Sequence, residues 1–163
     1  MPKKIDPLNK KQYGAVTAML TVADIKAAAS FYQKAFGFAK RSLMKGPDGK
    51  LMHAELTLRG TTLMLGPENP DRGARSAKTL GGSAVALYLT VENADKVVAK
   101  AIKLGASVVM PVMDMFWGDR CGTVADADGN NWWIVTHVAE PTAQEMNKKM
   151  KQQTSGQAAV AAA

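Results

Sequence analysis

Residues 114–137 read DMFWGDRCGTVADADGNNWWIVTH, and the reading of this stretch decides the fold. Asp128 and Gly129 stand between two strand-like runs. An Asp-Gly pair in that setting is a strong hairpin signal, because glycine takes a positive φ without a Cβ clash. The hairpin carries large side chains, Phe116, Trp117, Trp132 and Trp133, and a charged pair, Asp119 and Arg120, in a tight turn. Neighbours on a strand point to opposite faces, so one of the adjacent tryptophans faces a helix-covered core and the other faces something else. What that second surface meets determines what the protein does.

Upstream, the same vocabulary occurs in order. A strand is expected over 15–22, then a helix capped by Asp24, with Ala28, Phe31, Tyr32 and Ala35 at helical spacing and Gly37 as its stop. Strands follow over 39–44, 50–58 and 61–65, the first two separated by the turn GPDG. Residues 67–82 carry Gly, Pro and charge without apolar periodicity and read as a linker. The pattern then begins again with SAVALYLTV, a helix capped by Asn93 and ended by Gly105, the strand ASVVMPV, and the hairpin.

The register of this repeat is visible in the residues. Leu20-Thr21-Val22 returns as Leu89-Thr90-Val91 and Gly60 returns as Gly129, both 69 residues later. Gly37 and Gly105 differ by 68. Agreement at both ends of a unit argues for a duplicated β-α-β-β-β module. The organisation expected is a polar leader over 1–13, module one over 14–66, the linker, module two over 83–138, and a short helix with a flexible tail over 139–163. Thr142 and Glu145 have capping-box spacing at the start of that helix.

A chain of 163 residues, 47% hydrophobic and 21% charged, supports one domain with a proper core. No apolar run approaches the roughly 20 residues of a membrane span, and the start MPKKIDPLNKKQ lacks a signal core, so a cytoplasmic protein with no membrane partner is expected. The net charge of +7 lies mostly in the two ends, with no basic face or stacking platform for nucleic acid. The single Cys121 excludes an internal disulfide, lacks an adjacent histidine and reads as inert.

Here the chain resembles the vicinal oxygen chelate superfamily, which includes glyoxalase I, bleomycin-resistance proteins and extradiol dioxygenases. The resemblance covers about residues 14–138. It is carried by LTVADIKAAASFYQKAFGF, by LTVENADKVVAKAIKLGA and by DADGNNWWI, which is similar to the family's final hairpin with Ala127 in place of the usual proline. PDGKLMHAEL together with FWGDRCGTVADADGNNWWIVTH resembles the glyoxalase-like branch associated with phosphonate operons. The fold implied is α+β: two modules form a curved sheet cup, with helices on the convex side and a ligand cavity within.

Strand alternation agrees with that cup. In KLMHAELTL, Met52, Ala54, Leu56 and Leu58 alternate with His53, Glu55 and Thr57, a half-buried strand with one polar face. By the same alternation Thr17, Met19, Thr62, Met64, Ala86, Tyr88, Asn131 and Trp133 fall on the cavity side, while Leu20, Leu63, Leu87, Trp132 and Ile134 go to the helices. Arg120 shares a face with Val124, which stands 69 residues after Glu55, so Arg120 is expected to look inward and to pair with Glu55 across the cavity.

The ligand-binding candidates are therefore Thr17, Met19, His53, Glu55, Met64, Tyr88, Trp117, Arg120 and Trp133. His53 and Glu55 read either as a general acid/base pair or as a solvated strand face. Trp133, Tyr88, Trp117 and Phe116 read either as a stacking surface for a flat ligand or as filling for the cup and a homodimer seam. Met19 and Met64 suit an adaptable pocket as well as ordinary core.

The resemblance also places a metal. In glyoxalase-type members His, Glu or Gln hold it at the inward positions of the first and last strands of each module, which here are Thr17, Met64, Ala86 and Trp133. None offers an imidazole nitrogen or a carboxylate oxygen. The expectation is a homodimeric protein that binds a small organic ligand without metal or cofactor, against the alternative of a metal-dependent lyase, isomerase or dioxygenase.

Overall fold

The computed structural model describes residues 6–161, with side chains as far as residue 152. Residues 1–5 of the leader and the last two of the tail lie outside the described residues.

Module one is β1 (Ala18–Val22), α1 (Ile25–Phe36), β2 (Ala39–Lys45), β3 (Leu51–Leu58) and β4 (Thr61–Pro67). Asp24 starts α1 by accepting the Ala27 N–H at 3.0 Å, and Gly37 ends it in the left-handed region at φ 81°. The buried face of α1 is Ile25, Ala28, Ala29, Tyr32, Ala35 and Phe36, the three-to-four spacing of one helical stripe. The strands order as β1-β4-β3-β2, with β1 parallel to β4 and the other pairs antiparallel.

The connecting segment is more ordered than its composition suggests. It holds a 3-10 turn at Pro70–Arg72 and a one-turn helix, α2 (Ala77–Leu80). Both are set by local caps: Asn69 accepts from Arg72 N–H, and Ser76 accepts from Thr79 N–H. Elements this short have no apolar periodicity, which is why the sequence shows only a linker there.

Module two repeats the order: β5 (Ala86–Thr90), α3 (Ala94–Lys103), β6 (Ser107–Asp114), β7 (Asp119–Ala125) and β8 (Asn131–His137), paired as β5-β8-β7-β6. Asn93 caps α3 through Lys96 N–H at 2.9 Å. The fold is thus α+β, two four-stranded sheets from repeated modules with helices on one face of each.

The helix-covered faces merge into one core. Trp132 of β8 is 2% exposed and packs against Tyr32, Phe36 and Phe38 of module one, with ring centroids 5.1, 4.7 and 6.2 Å away. The Asp126 carboxylate in the β7–β8 turn accepts the Tyr32 hydroxyl at 2.6 Å and the Trp132 indole N–H at 3.0 Å. It also accepts the N–H groups of Asp128 and Asn130. Asp128 accepts the Ala23 N–H at 2.7 Å. The DADGN turn is therefore the joint between the modules as well as a hairpin.

After β8, α4 (Ala143–Ala161) opens with the expected capping box, Glu145 N–H to Thr142 Oγ1 and Thr142 N–H to Glu145. It runs 19 residues, longer than the short helix with a flexible tail read from sequence. Alanine-rich segments hold helix by backbone propensity without an apolar stripe. No helix among the described residues is long and apolar enough to cross a membrane.

Candidate functional site

The face of each sheet opposite its helices carries the chemistry. In module one, cross-strand register puts Met19 beside Met64 and Met64 beside Glu55. Ala54 and Leu56 are fully buried in the core, so His53 and Glu55 point the other way, onto the open face. Thr17, two residues before Met19, falls on the same side by alternation.

Glu55, 9% exposed, is the centre of a cluster. It accepts the Tyr13 hydroxyl at 2.6 Å, lies 3.5 Å from His53 Nε2, and is 3.7 Å from the Arg41 guanidinium. The Tyr13 hydrogen bond, helped by His53 and Arg41, holds the Glu55 carboxyl below the usual glutamate range against the opposing effect of burial. Arg41 in turn donates to the Gln12 carbonyl at 2.9 Å and to Thr62 Oγ1 at 2.8 Å. Tyr13 and Arg41 lie far from the motif residues in sequence and carry no periodic signal, so sequence reasoning missed them.

In module two, Tyr88 of β5 is the register partner of Trp133 in β8, and their rings stack with centroids 6.4 Å apart and planes 17° from parallel. Tyr88 is 58% exposed. Its hydroxyl donates to Asp119 at 2.8 Å, and burial of that end together with this hydrogen bond pushes the phenol up to about 12.

Asp119 gathers three donors. Oδ2 accepts Tyr88 and the Trp117 indole N–H, both at 2.8 Å, and Oδ1 lies 2.9 Å from His137 Nδ1. Burial pushes its carboxyl up, but the hydrogen bonds from His137, Tyr88 and Trp117 outweigh burial and leave it below the usual aspartate range. The same bond raises His137 above its ordinary value. Placed by the sequence only in a tight turn, Asp119 is the polar hub of this face. The turn that delivers it needs glycine: Gly118 has φ 100°, and a Cβ there would fall 2.0 Å from the Ala139 carbonyl oxygen.

Arg120 departs from expectation. It donates through Nε and Nη2 to Asp95 of α3 at 2.7 and 2.8 Å, and through Nη1 to Asp114 at 3.0 Å. It therefore lies on the helix side, and no Glu55–Arg120 pair forms. The cause is register: Glu55 is opposite Met64, while Thr123, not Val124, is opposite Trp133. The true counterpart of Glu55 is Thr123, and a one-residue slip inverts every side chain.

A cleft of about 650 Å³ is lined by residues of β1, β4, β5 and β8, including Ala18, Leu63, Leu87, Tyr88 and Trp132. Of the nine sequence-derived site residues, Tyr88 alone lines it. The others stand on the open faces, apart from Arg120 and from Trp117, which sits in the turn before β7. The open faces expose large apolar side chains: Met19 at 59%, Met44 at 59% and Met113 at 42%.

The superfamily's metal positions can be tested against this geometry. Met64 packs in register between Met19 and Glu55, Trp133 is stacked on Tyr88, and Ala86 and Thr17 bring no imidazole or carboxylate. This donor set does not fit a divalent ion. Among the described residues no group of three or more His, Cys, Asp or Glu side chains is arranged to hold one elsewhere.

Two β-α-β-β-β modules whose open faces carry a carboxylate-centred cluster and an aromatic pair define a two-module cup protein. Residues 14–134 match the Glyoxalase/Bleomycin resistance protein/Dioxygenase superfamily, and the chain belongs to that superfamily. An uncharacterized protein of Mycobacterium bovis is 38% identical over 145 residues, covering 87% of this chain and 95% of its own length. Among solved structures, a gene product from Arabidopsis thaliana superposes with a TM-score of 0.62 at 28% identity, covering 75% of this chain and 98% of that one. TioX from Micromonospora sp. ML1 superposes with a TM-score of 0.59 at 23% identity, covering 77% of this chain and 100% of that one, a likeness of fold alone.

Proposed function

We propose that this chain is a cytoplasmic homodimer that binds a small organic ligand against the Tyr88–Trp133 pair without a catalytic divalent metal. The observation that carries the reading is the stacked pair of exposed Tyr88 and half-buried Trp133, in a chain whose inherited metal positions are Thr17, Met64, Ala86 and Trp133. A flat ligand extends such a stack and covers apolar area that the chain leaves open. Glu55 and His53 form a separate polar cluster on the open face of module one. A second copy is the natural cover for the rest of the open faces, because Met19, Met44 and Met113 are more apolar surface than a solvated strand face needs. The motifs PDGKLMHAEL and FWGDR favour the phosphonate-operon-associated branch of the superfamily.

A thermal-shift screen of small aromatic and antibiotic-like compounds and of divalent metals tests the reading. Stabilisation by aromatic compounds that disappears in Trp133→Ala supports it. Stabilisation by a metal alone, lost in His53→Ala or Glu55→Ala, overturns it in favour of a metal-dependent lyase, isomerase or dioxygenase.

A second reading, a metal-independent enzyme, is favoured by the Asp119–His137 contact. Asp119 holds Nδ1, and Nε2 of the exposed ring lies 3.7 Å from the Glu140 carboxylate, so the imidazole is oriented as a general base is.

A further inference from the structure

The open face of module one is already occupied by a piece of the chain's own leader. The Gln12 carbonyl accepts from Arg41 Nη1 at 2.9 Å and from Thr62 Oγ1 at 2.8 Å, and the Tyr13 hydroxyl donates to Glu55 at 2.6 Å. The Arg41 guanidinium sits over the Tyr13 ring, 5.8 Å from its centroid. Beneath this strap Glu55 is 9% and Thr62 3% exposed. On either side of it the chain is loosely held: Leu8 is 67% and Val16 92% exposed, and neither joins the core. A segment attached by a few polar contacts, with no buried apolar anchor, opens at low free-energy cost.

The contacts Tyr13 makes are those of a small hydroxyaromatic molecule. One phenolic hydroxyl gives its proton to a carboxylate, and one ring lies under a guanidinium. The carboxylate accepts and does not donate, so the place suits a neutral hydroxyl donor. We propose that Tyr13 is an intramolecular occupant of a hydroxyaromatic subsite built by Glu55, Arg41, His53 and Thr62, and that a phenolic ligand displaces it. This deepens the reading of an aromatic-ligand cup and rests on it. The strap then gates the cup, since the ligand hydroxyl and Tyr13 cannot both bond Glu55 in this geometry.

The test uses the full chain and two probes of nearly equal shape, 2-naphthol and 2-methoxynaphthalene, titrated calorimetrically. Tyr13→Ala vacates the subsite and is expected to bind 2-naphthol about ten-fold more tightly than the native chain, the size of one hydrogen bond to a charged group. 2-Methoxynaphthalene has no proton to give and gains little. Adding Glu55→Gln to Tyr13→Ala removes the gain, with circular dichroism confirming the fold.

Equal affinity of 2-naphthol for native and Tyr13→Ala chains, or an equal gain for both probes, overturns the proposal. If 2-naphthol binds both chains alike and Trp133→Ala weakens it, the strap inference fails while the aromatic-cup reading stands. If 2-naphthol binds neither chain, the hydroxyaromatic subsite is excluded, and the aromatic-cup reading is judged separately by the compound screen.

Discussion

The hydroxyl of Tyr32, on α1 of the first module, donates to the Asp126 carboxylate in the last hairpin of the second module at 2.6 Å. The two residues are 94 positions apart, and both are buried in the aromatic cluster around Trp132. Tyr32→Phe leaves the ring in place and takes one donor from a buried carboxylate, which is expected to cost about 1.5–3 kcal/mol of folding stability. Chemical denaturation measures it. A loss below about 0.5 kcal/mol would show that the joint does not depend on this bond.

Thr123 makes the opposite case. It is 3% exposed, and its Oγ1 is the only buried side-chain polar atom without a hydrogen-bond partner among the described residues. Thr123→Val keeps the shape and removes the orphan hydroxyl, so stability is expected to rise by about 1 kcal/mol. An equal fall in thermal denaturation would mean that the hydroxyl has a partner in solution.

The Asp119–His137 pair predicts a pH profile. His137 is raised on folding, so its contribution is complete below the ordinary histidine value of about 6.5 and is lost as pH rises through the folded value. Asp119 is lowered, so its contribution is complete above about 3.9 and is lost as pH falls through the folded value. Stability from the pair is therefore greatest between those limits. In His137→Asn the decline on the alkaline side should flatten in melts taken from pH 5 to 9; an unchanged profile would mean that the pair does not form.

Arg120 provides a control on the register. Because it bonds Asp95 and Asp114 on the helix side, Arg120→Ala is expected to leave ligand affinity unchanged. A loss of about ten-fold or more by calorimetry would return it to the cavity.

The modules, their caps and most face assignments were legible in sequence because each depends on local pattern. Asp24, Asn93 and Gly37 act where their spacing placed them, and His53, Tyr88 and Trp133 point away from the helices as alternation requires. Arg120 failed because the two hairpins differ in length. Leu58 and Thr61 flank a two-residue turn, whereas Ala125 and Asn131 flank five residues, so β8 repeats β4 at 69 but β7 repeats β3 at 68. Counting back five residues from each hairpin glycine leads from Glu55 to Val124, one residue off the true counterpart, because the extra turn residue lies before Gly129. The Tyr13–Glu55 and Asp119–Tyr88–His137 clusters join residues 18 to 42 positions apart, and no sequence period encodes such meetings.

Metal-free binding of an aromatic ligand is the central proposal. Its most direct test is a calorimetric titration of the strongest aromatic compound from the screen into chelator-treated protein, native and Trp133→Ala. The expected result is binding that survives chelation in the native chain and weakens by about ten-fold or more in Trp133→Ala, in keeping with the loss of an aromatic stack. Binding abolished by chelation and restored by a divalent metal would contradict it.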